Sequence, residues 1–225
     1  MLTSKRTSLS EHHHIDKQIT GLPEPDLKSW QLLKEGDEAA FITIYKYYFE
    51  ILFRYGSQFT QDQHIIQDGI QELFIDLRRN RQNLSSTTSI KKYLFKSFKN
   101  KIFYLLKKEK ALKVRHQKAD YFQLEISVEE RLIDQQLTRE KKEKLQRALE
   151  KISGRQREAI YYFYFENMSY QEIAEVMDLS HVKSARNLVY EALKLLKDHV
   201  IIYHPIVIIF FYIFKMLTKS DMYFF

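Results

Sequence analysis

Two stretches of this chain carry residue types at spacings that suit contact with a polyanion, and neither suits bond-making chemistry. The first is Ser169–Leu196, SYQEIAEVMDLSHVKSARNLVYEALKLL. Ser169 and Glu172 stand three apart, the spacing of a capping box. Ile173, Ala174 and Met177 follow as a buried side, and Ala174 is small enough for a second helix to cross close above it. Asp178, Leu179 and Ser180 offer a turn, with Ser180 expected to cap the next helix. That helix would show Lys183, Ser184, Arg186, Asn187 and Tyr190 to solvent. Side chains of these types reach phosphates and base edges in a major groove, so the pattern predicts a helix-turn-helix.

The second stretch is Lys91–Lys118, in which eleven Lys and Arg residues meet one acid, Glu109. It carries +10, while the whole chain carries +7, so the entire positive excess sits here. A block of this kind favours nucleic acid first and an acidic membrane surface second. Its lysines interleave with Tyr93, Phe95, Phe98, Phe103 and Tyr104. Lysines track a phosphate backbone, and aromatic rings stack on unpaired bases. Phe98 and Phe103 are expected in the core, whereas Tyr93 and Tyr104 are open to either role. The polar loop before this helix, Asn80–Ser89 (NRQNLSSTTS), has room for an everted base.

Other chemistries are poorly served. The chain has no cysteine, which excludes a disulfide scaffold, a Cys-liganded zinc finger, an iron–sulfur centre and a thiol nucleophile. It has no HExxH, GxSxG, Walker loop or Gly-rich phosphate cradle. Glu129 and Glu130 are adjacent, but they lie in a polar stretch expected to face water. His12, His13 and His14 lack a preorganised fourth ligand. No catalytic residue, cofactor or metal is expected, and no enzymatic activity.

The elements that must position these stretches are helices. Between Pro25 and Pro205 no proline occurs, and only Gly36, Gly56, Gly69 and Gly154 break the run. A β fold of this size needs turns that draw on both residues. The spacing predicts an all-α chain of two small helical domains joined by a linker, the C-terminal one a helix-turn-helix. Residues 1–25 read as a flexible arm. Residues 26–110 read as the first domain. Asp26 and Asp37 cap its first two helices, and Gly36 separates them. A third helix from about Asp62 to Arg79 carries Ile66, Ile70, Leu73, Phe74 and Leu77 on one face. The basic helix is the fourth. Residues 111–135 are weakly patterned and read as the linker. Residues 136–198 hold the second domain. There Leu145, Leu149 and Ile152 form a stripe that Ser153 and Gly154 break, and Arg155–Phe165 is a helix rich in aromatics. Residues 199–225 are a hydrophobic tail of unassigned role.

In this order, the motifs resemble those of a bacterial RNA polymerase sigma factor of the extracytoplasmic-function group, which has only the second and fourth sigma regions. IIQDGIQELFIDL (Ile65–Leu77) is similar to the group's acidic Gln-Glu-x-Phe helix. SIKKYLFKSFKNKIFYLLKKEK (Ser89–Lys110) resembles its minus-ten helix, with Asn100 at the usual Asn. LQRALEKISGRQREAIYYFYFENMSYQEIAEVMDLS (Leu145–Ser180) resembles the entry to its fourth region. The likeness spans about residues 26–197. It implies a protein that binds core RNA polymerase and directs promoter-specific initiation. Asp68, Gln71, Glu72 and Phe74 would then face the polymerase. Asn80, Arg81, Asn83, Lys91, Lys92, Tyr93, Lys96, Lys99 and Asn100 would bind the minus-ten element. Tyr170, Gln171, Lys183, Ser184, Arg186, Asn187 and Tyr190 would bind the minus-thirty-five element. Promoter DNA, core polymerase and an anti-sigma factor are the implied partners. Two positions depart from the pattern: His181 is an extra residue in the turn, and Glu191 stands where an Arg is common.

The same residues would also serve a stand-alone helix-turn-helix regulator that binds duplex DNA without polymerase. Lys5 and Arg6 are not followed by an apolar run, so no signal peptide is expected, and a cytoplasmic location is. Membrane contact through residues 200–217 is not favoured. Val200–Phe214 is short of the ~20 residues of a span, and Pro205 interrupts it.

Overall fold

Each helix of the first domain starts where a side-chain oxygen meets free backbone N–H groups. The computed structural model describes residues 22–84, 87–112, 122–124 and 146–200, and all regular structure among them is helical. Helix α1 spans Leu27–Glu35. Asp26 accepts the Ser29 N–H at 2.8 Å and the Ser29 hydroxyl at 2.9 Å. These bonds, the backbone one foremost, hold its carboxyl below the ordinary value. Gly36 ends α1 at φ +97°, and the Asp37 N–H returns to Leu32 O at 2.9 Å. Helix α2, Glu38–Gly56, opens with Asp37 accepting the Ala40 N–H at 2.7 Å. Helix α3, Gln63–Arg79, opens with Asp62 accepting from His64 and Ile65. Helix α4 spans Ile90–Leu112, and Ser89 Oγ accepts the Lys92 N–H at 3.2 Å.

The core of this unit is where the apolar stripes meet. Ile44, Tyr47, Tyr48, Ile51, Leu52 and Tyr55 of α2 are buried with Ile66, Ile70, Leu73, Phe74 and Leu77 of α3 and with Leu94, Phe95, Phe98 and Ile102 of α4. Close approach needs glycine at the last residue of α2. A Cβ on Gly56 would lie 2.6 Å from Ile66 Cγ2 and 3.1 Å from Phe98 Cζ. The expected polar loop Asn80–Ser89 begins with regular structure. Arg81–Asn83 form a turn of 3-10 helix, and Leu84 behind it is buried. One apolar side chain among polar ones is enough to pin such a segment.

The chain divides into two compact units. One reaches to Tyr121 and takes in Glu175–Asp178; the other holds Phe122–Ala174 and Leu179 onward. In the second, residues 146–150 are helical and bury Ala148 and Leu149. Ser153 and Gly154 do separate that turn from the next helix, but by starting it. Ser153 and Gln156 form a reciprocal capping box, and α5 spans Gly154–Ile160. The aromatic run Tyr161–Phe165 continues as a π-helical turn rather than as α-helix. Helix α6 spans Tyr170–Val176 and α7 spans Val182–Val200, two residues past the expected boundary at Asp198.

Part of the expected linker packs into this unit. Phe122 and Leu124 are buried, and the Phe122 ring meets Tyr161 edge-on at 5.6 Å. Arg157 fixes the strand of chain there. Its Nε donates to Phe122 O at 2.8 Å, and its Nη1 donates to Leu149 O at 3.1 Å and Ile152 O at 2.7 Å. One guanidinium thus answers three backbone carbonyls. Residues 1–21 of the expected arm with His12–His14, then Glu129 and Glu130, and residues 201–225 of the tail lie outside the described residues.

Candidate nucleic-acid interface

A tight turn joins the short helix α6 to the longer helix α7. Asn167 enters the left-handed region at φ +51°, and Ser169 then opens α6. The Ser169 N–H donates to Glu172 Oε2 at 2.9 Å, and the Glu172 N–H donates to Ser169 Oγ at 3.2 Å, the capping box that the spacing predicts. Ile173, Ala174, Val176 and Met177 are buried. Asp178 also sits at φ +51°, and the Leu179 N–H closes on Ala174 O at 2.8 Å. The turn then differs from expectation. Ser180 does not stand next to the helix: α7 begins at Val182, and the Ser184 N–H donates to His181 O at 3.0 Å. The helix starts past the serine, and His181 occupies the capping position.

Helix α7 buries Ala185, Val189, Ala192 and Leu196, spaced four, three and four apart. Its other side is thereby fixed. Lys183, Arg186, Asn187 and Tyr190 are exposed together along about 100° of the helix, Tyr190 at 63 % and Ser184 half-buried at the edge. Val182 and Glu191 are exposed beside them. On α6, Gln171 is exposed, but Tyr170 is half-buried. The Tyr170 ring stacks on Phe163 with centroids 4.9 Å apart and planes at 14°, and the Arg186 guanidinium lies over it at 5.5 Å. Next to this stack, burial pushes the Tyr164 phenol up to about 12, with the Tyr170 hydroxyl a lesser cause.

The first unit presents the remaining candidates on two helices and a turn. Asn80 and Asn83 are exposed at the end of α3. Arg81 is half-buried and donates to Arg78 O at 3.1 Å. On α4, Asn100 is exposed, Lys92, Lys96 and Lys99 are partly exposed, and Tyr104 is open at 61 %. Two expectations need correcting. Lys91 is only 7 % exposed, because it follows Ile90 into the packed start of α4. Tyr93 is half-buried, its ring 4.9 Å from that of Trp30, so it ties α4 to α1 rather than standing free. Phe98 is buried as expected; Phe103 is partly exposed and packs edge-on against Phe59 at 5.2 Å.

On α3, Asp68 and Gln71 are exposed. Phe74 is not: it is 2 % exposed and meets Tyr45 and Phe41 edge-on at 5.0 and 6.0 Å. It continues the Ile66–Ile70–Leu73 stripe, and that face is already spent on the core. Glu72 is engaged as well. The Lys101 ammonium, which the sequence leaves unremarked among ten other bases, donates to Asp76 Oδ2 at 2.8 Å and pairs with Glu72 Oε2 at 3.3 Å. The hydrogen bond to Asp76 raises the Lys101 pKa, and Glu72 adds to it. Glu72 and Asp76 are four apart on α3, a spacing that marks a shared partner.

Among the described residues no cluster of His, Asp and Glu could hold a metal, and no helix is long and apolar enough to cross a membrane. Residues 142–196 match the protein family described as Sigma-70, region 4. The stretch that matches contains α5 to α7 up to Leu196 and the exposed face of α7. The fold is similar to that of CnrH, solved in complex with the cytosolic domain of CnrY. The TM-score is 0.53 at 19 % identity, over 78 % of this chain and 96 % of that one. No curated protein matches the chain. The likeness to a sigma-70 fourth region therefore holds by sequence over residues 142–196, and the likeness to CnrH is one of fold.

Proposed function

We propose that the chain is a sigma factor of the extracytoplasmic-function group, a non-enzymatic protein that binds core RNA polymerase in the cytoplasm and directs promoter-specific initiation. One observation carries this: the sigma fourth-region match falls on the residues whose folding leaves Lys183, Arg186, Asn187 and Tyr190 exposed together on α7. A helix-turn-helix of this form reads duplex DNA in the major groove, here the minus-thirty-five element. Residues 136–198 are its domain, and residues 26–110 are the second-region domain. Asp68 and Gln71 on α3 face the polymerase clamp, with Glu72 at the edge. Asn80, Asn83, Lys92, Lys96, Lys99 and Asn100 hold the minus-ten strand.

Such a protein makes no covalent change in its substrate. Opening draws on binding: each stacked or pocketed base contributes ~1–3 kcal/mol, comparable to unstacking a base step. CnrH was solved with the cytosolic domain of CnrY, and on the present reading a bound protein partner of this chain would be an anti-sigma factor.

Run-off transcription with core polymerase on a promoter library tests the reading. Specific initiation that needs both the chain and polymerase is the expected result. A chain that shifts a specific duplex tightly by itself, and neither co-elutes with polymerase nor supports initiation, is a stand-alone regulator instead.

A further inference from the structure

The aromatic run Tyr161–Phe165 is not needed to explain a helix-turn-helix, and the structure gives it two separate uses. In the π-helical turn, Tyr161 and Tyr162 go to the core, while Phe163 stays partly exposed. Phe163 lies nearly parallel to Tyr170, and the Arg186 guanidinium lies over the Tyr170 ring. The three residues come from the π turn, the first residue of α6 and the fifth residue of α7, and the capping box at Ser169–Glu172 fixes where Tyr170 stands. We infer that Phe163 and Tyr170 form a clamp that holds Arg186 for one guanine in the duplex, an inference that rests on the sigma-factor reading above.

The chemistry follows from how a guanidinium divides its contacts. Its face is attracted to the aromatic quadrupole, while its N–H groups lie in the plane and point away from the ring. An arginine held over the ring by this attraction keeps its hydrogen-bonding edge for other partners. That edge matches the O6 and N7 acceptors of guanine in the major groove. Arg186 stands near the start of α7, the part of a recognition helix that reaches base edges. An arginine held before binding loses less rotamer freedom on binding. Phe163 backs the ring that carries it, so Phe163 and Tyr170 are positioning residues, and Arg186 is the one that reads.

The test uses the full chain with core polymerase and promoter duplexes in which each guanine in turn is replaced by 7-deazaguanine, which lacks the N7 acceptor. One position is expected at which the replacement weakens binding about fivefold or more. Arg186→Ala should weaken binding roughly 5- to 150-fold and be blind to the replacement there. Phe163→Leu and Tyr170→Leu should shrink discrimination at that position alone, and Tyr170→Phe should keep it. In the free chain, the Arg186 side-chain protons should show upfield ring-current shifts by NMR, lost in Tyr170→Leu and kept in Tyr170→Phe. Discrimination left intact by both leucine variants overturns the clamp, and so does the absence of ring-current shifts. A uniform loss at all positions makes Arg186 a phosphate contact and overturns the guanine assignment. Ring-current shifts without specific initiation on any promoter overturn the sigma-factor reading, and the guanine assignment with it.

Discussion

Phe74 and Ile75 are neighbours in the chain with opposite surroundings: Phe74 is 2 % exposed and Ile75 is 47 % exposed. A helix turns about 100° per residue, so adjacent positions on a half-buried helix face different media. Phe74→Ala should cost about 3–5 kcal/mol of stability, the penalty for emptying an aromatic site in a core. Asp68→Lys and Gln71→Lys should leave the melting temperature unchanged and weaken polymerase binding in a pull-down titration. Equal affinity for the wild type and both lysine variants would remove α3 from the polymerase interface. Lys101 makes a pH-dependent contribution. Its folded pKa is raised, so its stabilisation is complete below the unfolded value of about 10.4 and is lost as pH rises through the folded value. Thermal melts from neutral to strongly alkaline pH should therefore show wild type above Lys101→Met near neutrality, with the gap closing at high pH. A gap that stays constant would mean that Lys101 acts through packing of its stem alone.

At the scale of elements, the start of α7 is the point where composition and geometry diverge. Ser180 is a good capping residue, yet the helix opens after His181. Deleting His181 would bring Ser180 next to Val182. The expected result is a helix start more stable by up to about 1 kcal/mol and tighter promoter binding by the polymerase complex. Weaker binding with an unchanged fold would show instead that the longer turn sets the register of Lys183 and Arg186. The π-helical turn has a comparable role one element earlier. It adds a residue per turn at Tyr161–Phe165, which lets neighbouring aromatics serve the core and the surface together.

For the whole molecule, charge and folding are distributed differently. Positive excess is confined to Lys91–Lys118, whereas buried apolar surface occurs in both compact units. Promoter affinity of the polymerase complex should therefore fall with added salt, since each neutralised phosphate releases a counterion. Helix α7 runs to Val200 and its last described buried residue is Leu196. A chain cut after Val200 should accordingly keep promoter-specific initiation in a run-off assay. A cut chain that unfolds, or no longer co-elutes with polymerase, would assign the tail to the folded core.

The sequence by itself determined the helical class, the starts of α1, α2, α3 and α6, and the exposed face of α7. Each follows from interactions within three or four residues: a capping oxygen and its N–H, or an apolar stripe at helical spacing. Leu84, Lys91 and Phe122 could not be placed that way. A leucine in a polar loop, a lysine in a basic run and a phenylalanine in a weakly patterned stretch carry no local mark of burial. Only the tertiary structure decided that Lys101 answers Asp76 and Glu72, that Tyr93 leans on Trp30, and that Arg186 rests on Tyr170. Those partners lie 16 to 63 residues apart in the chain, and pairing at that separation depends on which helices the shared core brings side by side.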